Sequence, residues 1–328
     1  MTKNLLIYDA RAARYKELLE PLFPDISIYT ATTEEEAIAI VGNAHVLFAL
    51  GHLFSDDLVS RAAKLEWAQA LTTGVDGVFM LTALSNDIIL TNARGIHGPQ
   101  MSEMAFMHML ALTRNFPRMV HNQTAAKWDR WPQALLHEKT ITIVGVGVIA
   151  EDLAPKCKAF NMTVYGVSGT KRDVPGFDRM FGRDELIKAA SLSDYLLLLV
   201  PYSAETDKLV DADVLAAMKP DAYIVNLARG GVLDEDALMD VLRAGKIAGA
   251  GLDVFETEPP PKQSPILGLG DKVVLTPHSA GRTPGGSNVN AIPLQTEILL
   301  TALRGIIPKC VVNPEVLPKW RQRFGDNS

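Results

Sequence analysis

Three short segments of this 328-residue chain carry polar side chains just past predicted strand ends, where open α/β sheets present their ligands. They are Asn226-Leu227-Ala228-Arg229-Gly230-Gly231, Gly251-Leu252-Asp253-Val254-Phe255-Glu256-Thr257-Glu258-Pro259-Pro260 and Leu275-Thr276-Pro277-His278-Ser279-Ala280-Gly281. Arg229 supplies a planar fork that stays charged at any working pH, suited to polarising a carbonyl and neutralising a carboxylate. His278 is the type of side chain that titrates near neutrality, and a nearby Glu258 carboxylate would favour its protonated form. Together they make a proton donor and an electrostatic clamp. Taken singly, each has a plain alternative: a surface cation, a solvated acid before two prolines, a satisfied structural histidine. Their joint occurrence in three unrelated loops selects the chemical reading.

A fourth segment, Ile141-Thr142-Ile143-Val144-Gly145-Val146-Gly147-Val148-Ile149-Ala150, reads as a strand, a glycine turn and the start of a helix. Gly145 permits the tight turn, Gly147 lets the backbone approach a pyrophosphate, and Ala150 is small enough for close helix-to-strand packing. The N–H groups from Val148 and Ile149 onward open the helix with a positive dipole end for phosphates. The next strand ends at Val167-Ser168-Gly169-Thr170-Lys171-Arg172. Ser168 stands where an NAD-binding unit usually has an acid for the ribose 2′-OH, and Lys171 and Arg172 follow, so NADP is the preferred cofactor and NAD a possible one. The alternative is a solvated basic loop.

The elements that must position these groups follow a regular rhythm. Apolar or amphipathic runs at 5–8, 15–23, 26–29, 34–41 and 45–50 alternate as in a parallel sheet flanked by helices. That rhythm stops near 88–91, and the stretch Asn92 to Pro99 suits a hinge. Pro99 opens a methionine-rich helix carrying Met101, Met104, Met107, Leu110 and Leu112. Strands are then expected at 140–144, 163–167, 195–200, 222–226, 248–253 and 273–275, with helices at 149–159, 183–190, 211–218 and 234–244. Six strands with helical crossovers complete a doubly wound sheet. The remainder holds one helix at 289–303, which must pack back on the first half. The fold class is therefore α/β, with two Rossmann-like or flavodoxin-like doubly wound parallel-sheet domains and an interdomain cleft. Residues 1–97 plus 287–328 make the substrate domain and 98–286 the dinucleotide domain.

Composition narrows the function classes. Hydrophobic residues are 48% and charged residues 21%, which suits globular domains and excludes a disordered or collagen-like chain. The net charge of -6, without a long run of like charge, argues against nucleic acid. The longest strongly apolar run, 195–200, is too short to span a membrane. The N-terminus enters a strand without a signal-peptide pattern, which predicts a cytoplasmic protein. Cys157 and Cys310 are too few and too far apart for a disulfide framework or a metal site, and no metal is expected.

The four motifs, in this order, resemble the signatures of the D-isomer-specific 2-hydroxyacid dehydrogenase family over nearly the whole chain. The resemblance implies that Arg229 is the substrate arginine, Glu258 the acid that orients the histidine, and His278 the proton donor and acceptor beside both substrate and cofactor. It makes Asp253 the nicotinamide-side aspartate, with Ala228 and Gly281 nearby. Thr73, Gly74 and Val75 would belong to the loop whose N–H groups hold the substrate carboxylate, and Val200, Pro201 and Thr206 to the cofactor-side loop after the third strand. A small 2-oxo or 2-hydroxy acid is the implied substrate, with glyoxylate and hydroxypyruvate first. A homodimer is implied too, through the Met101 to Leu112 stripe with Trp128 and Trp131. His97 is a second-tier candidate in the hinge. Three departures stand out: Ala150 for the third glycine, Ser168 for the aspartate, and no tryptophan in 264–268. Competing readings are a formate dehydrogenase, which Glu258 argues against because that relative carries an amide there, and a dinucleotide-sensing corepressor.

Overall fold

Leu5, Leu6, Ile7 and Tyr8 are all buried, and such an unbroken apolar run is what a parallel strand covered on both faces needs. In the computed structural model, which describes residues 3–282 and 310–316, they form most of β1 (Lys3–Tyr8). Alternation continues through α1 (Ala12–Leu19), β2 (Ile26–Ala31), α2 (Glu34–Val41), β3 (Val46–Ala49), α3 (Asp56–Ser60), β4 (Trp67–Ala70), α4 (Asp76–Phe79) and β5 (Ile89–Thr91). α2 starts where Thr33 Oγ1 accepts from the Glu36 N–H and the Glu36 carboxylate reaches back to the N–H of Thr32, a capping arrangement that satisfies two helix-start donors. The strands are parallel in the order β2-β1-β3-β4-β5, which is the flavodoxin-like order. Trp67 is fully buried and donates its indole N–H to Thr91 Oγ1 at 2.7 Å. Val311 bridges Thr91, and Asn313 Oδ1 accepts from the Leu90 N–H at 2.8 Å, so 310–316 belongs to this unit. The helix expected at 289–303 lies outside the described residues.

His97–Arg282 is the second compact unit. It contains α5 (Gly98–Thr113), α6 (Phe116–Thr124), β6 (Thr140–Val144), α7 (Val148–Ala159), β7 (Thr163–Ser168), β8 (Arg179–Gly182), α8 (Leu186–Leu192), β9 (Tyr195–Leu198), α9 (Ala212–Ala217), β10 (Tyr223–Asn226), α10 (Glu235–Arg243), β11 (Gly249–Leu252) and β12 (Val273–Leu275). The sheet runs β12-β11-β10-β9-β6-β7-β8. Counted from β6 this is the 3-2-1-4-5-6 dinucleotide-binding order with one strand added beyond β11, and the direction of winding reverses between β6 and β9.

Two expectations need correction. The sheet has seven strands, not six, because β8 pairs with β7 from Tyr165↔Arg179 to Ser168↔Gly182. Arg179-Met180-Phe181-Gly182 has no β-branched residue and shows no clean alternation, so only its neighbour reveals it. The methionine stripe also serves its own unit. Met101, Met109 and Leu112 are buried with Ile141, Ile143, Leu197 and Val225 on one face of the sheet. Apolar side chains left exposed nearby include Met107, Phe116, Val120 and Trp128, while Trp131 lies under the Arg118 guanidinium at 4.3 Å.

Candidate active site

The glycine turn joins β6 to α7. Gly145 has φ 99°, open to glycine and costly for other residues, and a Cβ there would meet Val200 N at 2.5 Å. Gly147 caps α7 without any side-chain hydrogen bond, and a Cβ on it would meet nothing within 4 Å among the described residues. The first N–H groups of α7, at Val148 and Ile149, therefore begin beside open space, while Ala150 is wholly buried against the sheet. This cradle fits a pyrophosphate. Val200 and Pro201 follow β9, and the buried Thr206 hydroxyl accepts from Ser203 N at 2.8 Å and donates to Pro201 O at 2.8 Å. Thr206 thus shapes that loop through hydrogen bonds internal to it.

At the end of β7, Ser168 Oγ donates to Thr170 O at 2.7 Å. Lys171 Nζ lies 3.2 Å from Glu185, and Arg172 Nη2 lies 2.8 Å from Glu151 and donates to Val146 O at 3.4 Å. Both expected phosphate readers are therefore tied to carboxylates.

Arg229, Glu258 and His278 leave three neighbouring strands, β10, β11 and β12. Asn226 is buried and braces the first loop: its Oδ1 accepts from Ala228 N and its Nδ2 donates to Arg229 O, both at 3.0 Å. Arg229 Nη1 donates to Ala228 O at 2.7 Å. Gly230 lets this loop lie directly on the next, since a Cβ would stand 1.9 Å from the Phe255 carbonyl carbon. Glu258 Oε1 accepts from Phe255 N at 3.0 Å, and its Oε2 accepts from His278 Nδ1 at 2.7 Å. A carboxylate can only accept, so Nδ1 carries hydrogen and Nε2 is the ring atom left for proton transfer. His278 holds φ 49°, unusual for a residue with a Cβ, while its N–H donates to Asp253 O at 2.7 Å.

Asp253, buried at the end of β11, organises the histidine loop. Its Oδ1 accepts from Thr276 Oγ1 at 2.5 Å and Ser279 N at 2.9 Å, and its Oδ2 from Ala280 N at 2.9 Å. Because Thr276 donates its one hydroxyl hydrogen to Asp253, the His108 Nε2 at 3.0 Å must donate to Thr276. The other ring nitrogen, Nδ1, is buried without a hydrogen-bond partner among the described residues, and burial pushes His108 down to about 4. Its sequence setting, a histidine on an apolar helix face, carries no sign of this link to a loop 168 residues away.

Glu235 was also hidden. It accepts from Glu256 N at 2.5 Å, and burial, reinforced by Glu256, Asp236 and Glu258, raises its pKa. An acid in the first turn of a helix reads as a dipole partner, and only the packing of α10 on 255–258 reveals a brace. His97, by contrast, is half-buried, its Nδ1 hydrogen-bonded with Gln100 Nε2 at 2.9 Å, and burial lowers its pKa. A Cβ on Gly281 would touch its ring at 3.4 Å.

In the first unit, Thr73, Gly74 and Val75 follow β4. Asn92 Nδ2 donates to Thr73 O at 2.7 Å, and Thr72 Oγ1 donates to Gly74 O at 2.9 Å. Among the described residues no group of three or more His, Cys, Asp or Glu side chains could hold a metal ion, and no helix is long and apolar enough to cross a membrane. Burial pushes the Cys157 thiol up to about 12, far from thiolate chemistry.

Comparison with known proteins places the chain in a family. Residues 106–280 match the family model described as D-isomer specific 2-hydroxyacid dehydrogenase, NAD binding domain. A D-3-phosphoglycerate dehydrogenase from Methanocaldococcus jannaschii is 32% identical over 302 residues, 90% of this chain but 56% of that protein. This chain thus spans little more than half of such a relative. A glyoxylate/hydroxypyruvate reductase B from Pectobacterium atrosepticum is 30% identical over 92% of this chain and 98% of its own. The crystal structure of a D-isomer specific 2-hydroxyacid dehydrogenase family protein from Aeromonas salmonicida subsp. salmonicida superposes with a TM-score of 0.85 at 31% identity, covering 95% of this chain and 99% of that one. A family model spanning more than half of the chain, with a relative matched along almost its full length, shows that this chain belongs to the D-isomer-specific 2-hydroxyacid dehydrogenase family.

Proposed function

We propose that this chain reduces a small 2-oxo acid to the D-2-hydroxy acid, with NADPH preferred and NADH usable, and with glyoxylate and hydroxypyruvate as the first substrates to try. The observation that carries this reading is the 2.7 Å bond from His278 Nδ1 to a backbone-braced Glu258, on loops next to that of Arg229. When bound, the nicotinamide supplies the hydride. The chain's own residues do the rest. Arg229 binds the acid and polarises its carbonyl; His278 delivers a proton to the carbonyl oxygen from Nε2, while Glu258 holds the ring and stabilises its charge. Asp253 fixes the loop that carries the histidine and faces the nicotinamide side. Gly145, Gly147, Val148 and Ile149 take the pyrophosphate, with Val200, Pro201, Thr206, Ala228 and Gly281 on the nicotinamide side. Thr73, Gly74 and Val75 are the proposed substrate residues of the first unit. The near full-length match to a glyoxylate/hydroxypyruvate reductase supports the choice of acids.

NADPH and NADH oxidation should be followed against a panel of 2-oxo acids, with the product's configuration assigned. Turnover of glyoxylate or hydroxypyruvate is expected, and no turnover of any member would overturn the reading. A cytoplasmic homodimer belongs to the same proposal, with the exposed Met107, Phe116, Val120 and Trp128 as its apolar anchors. A monomer mass by light scattering at micromolar concentration would refute the dimer.

A further inference from the structure

Strand β8 brings a third cation to the end of β7. The register ends at Ser168↔Gly182, so the next residue of each strand, Gly169 and Arg183, also come together. Gly169 has no side chain to obstruct this: a Cβ there would lie 3.4 Å from Arg183 Nη2 and 3.9 Å from its Cζ. The guanidinium thus lies against the backbone that directly follows Ser168, the position where a dinucleotide-binding strand meets the adenosine ribose. In the sequence Arg183 is simply the first residue of the helix expected at 183–190, with no mark of this neighbour.

The partners of the three cations differ. Glu185, which holds Lys171, is itself fixed by the Gly182 N–H at 3.0 Å, and these bonds keep its carboxyl below the ordinary range. Arg172 is engaged with Glu151 on α7 and with the Val146 carbonyl. Arg183 Nη1 pairs with Glu205 at 3.1 Å, and that carboxylate is 81% exposed while Arg183 is 35% exposed. Glu205 belongs to the loop after β9, whose strand is separated from β8 in the sheet by β6 and β7. An exposed carboxylate is a weak, screened partner, and a phosphate with three acceptor oxygens offers the fork a better one.

We propose that Arg183 is the specificity-determining residue for the 2′-phosphate of NADPH, and that it exchanges Glu205 for that phosphate. The assignment rests on the NADPH reading above. It makes Glu205 a competitor whose removal strengthens 2′-phosphate binding, and it leaves Lys171 and Arg172 as lesser contributors.

Calorimetric titration of the full chain with adenosine 2′,5′-bisphosphate and with 5′-AMP isolates the 2′-phosphate without turnover. The parent should bind the bisphosphate more tightly. Arg183→Ala should weaken the bisphosphate by on the order of tenfold while changing 5′-AMP by less than about twofold, since only the charge-assisted bonds are lost. Retained 5′-AMP binding also reports an intact fold. Glu205→Gln should tighten the bisphosphate by roughly two- to threefold, and Arg183→Lys should restore only part of the loss. A parent that discriminates while Arg183→Ala still discriminates equally overturns this assignment alone. Equal loss of both nucleotides in Arg183→Ala also overturns it. A parent that binds the two alike overturns the NADPH reading, and the assignment with it.

Discussion

The two ends of the His97–Arg282 unit are built differently. At the β10 to β12 end the polar side chains are fastened to backbone: Asn226 to residues 228 and 229, Glu258 to Phe255 N, Glu235 to Glu256 N, and Asp253 to the N–H groups of Ser279 and Ala280. At the β7 to β8 end, Lys171, Arg172 and Arg183 rest on carboxylates, and much of each side chain is in water. A backbone-fastened group keeps its geometry through the reaction, which proton transfer and charge stabilisation require. Exposed ion pairs are cheap to exchange, which suits recognition of a cofactor that must leave.

If that contrast is right, the largest effect should come from His278→Asn. The asparagine removes the proposed proton donor, and kcat should fall by on the order of 100- to 10,000-fold with the dissociation constant of the reduced cofactor nearly unchanged; Arg229→Lys should come close to it because a point charge cannot reproduce the fork. Fast turnover by either variant would reassign the chemistry. Gly230→Ala tests the loop-on-loop packing: a methyl group 1.9 Å from the Phe255 carbonyl carbon forces the two loops apart, at a cost of about 3 kcal/mol. A urea midpoint equal to the parent's would show that the loops are not pressed together.

The buried His108 makes a pH prediction. Its pKa is depressed from 6.5 to about 4 in the folded state, so between those values the unfolded chain binds more protons. Stability should therefore be lost as pH falls from about 6.5 toward 4, and His108→Leu should be spared up to roughly 3 kcal/mol of that loss. Parallel urea midpoints for parent and variant across this range would contradict the assignment. The smallest effect is expected from Lys171→Ala with Arg172→Ala, which should lower the NADPH over NADH ratio of kcat/KM only a few-fold, the magnitude of exposed pairs. A collapse of the ratio to one would return phosphate recognition to these two residues and erase the contrast drawn with Arg183.

Legibility along the chain followed locality. Thr140 to Val144, the glycine turn and the start of the helix after it could be read in eleven consecutive residues, because a buried parallel strand, a positive-φ glycine and a small residue at a helix contact each leave their own mark. The β7 end was only half legible. Ser168, Lys171 and Arg172 stand in one run of sequence, yet where those cations point depends on Glu185 and Glu151, which come from other elements. Met101 and Leu112 were ambiguous for the same reason: an apolar stripe fits a partner subunit as well as its own sheet until the sheet's position is known.

What the sequence by itself determined was the order of most alternating elements and the glycine turn, and it marked Arg229, Glu258 and His278 as the candidates for chemistry, since side-chain chemistry and short-range backbone preference are written into consecutive residues. Only the tertiary structure decided that β8 joins the sheet, that Arg183 lies beside Gly169, and that Glu235 holds the Glu256 N–H. It alone decided that His108 reaches Asp253 through Thr276. These are pairings between residues far apart in the chain, and strand register and helix packing, which no single segment encodes, bring them within hydrogen-bond distance.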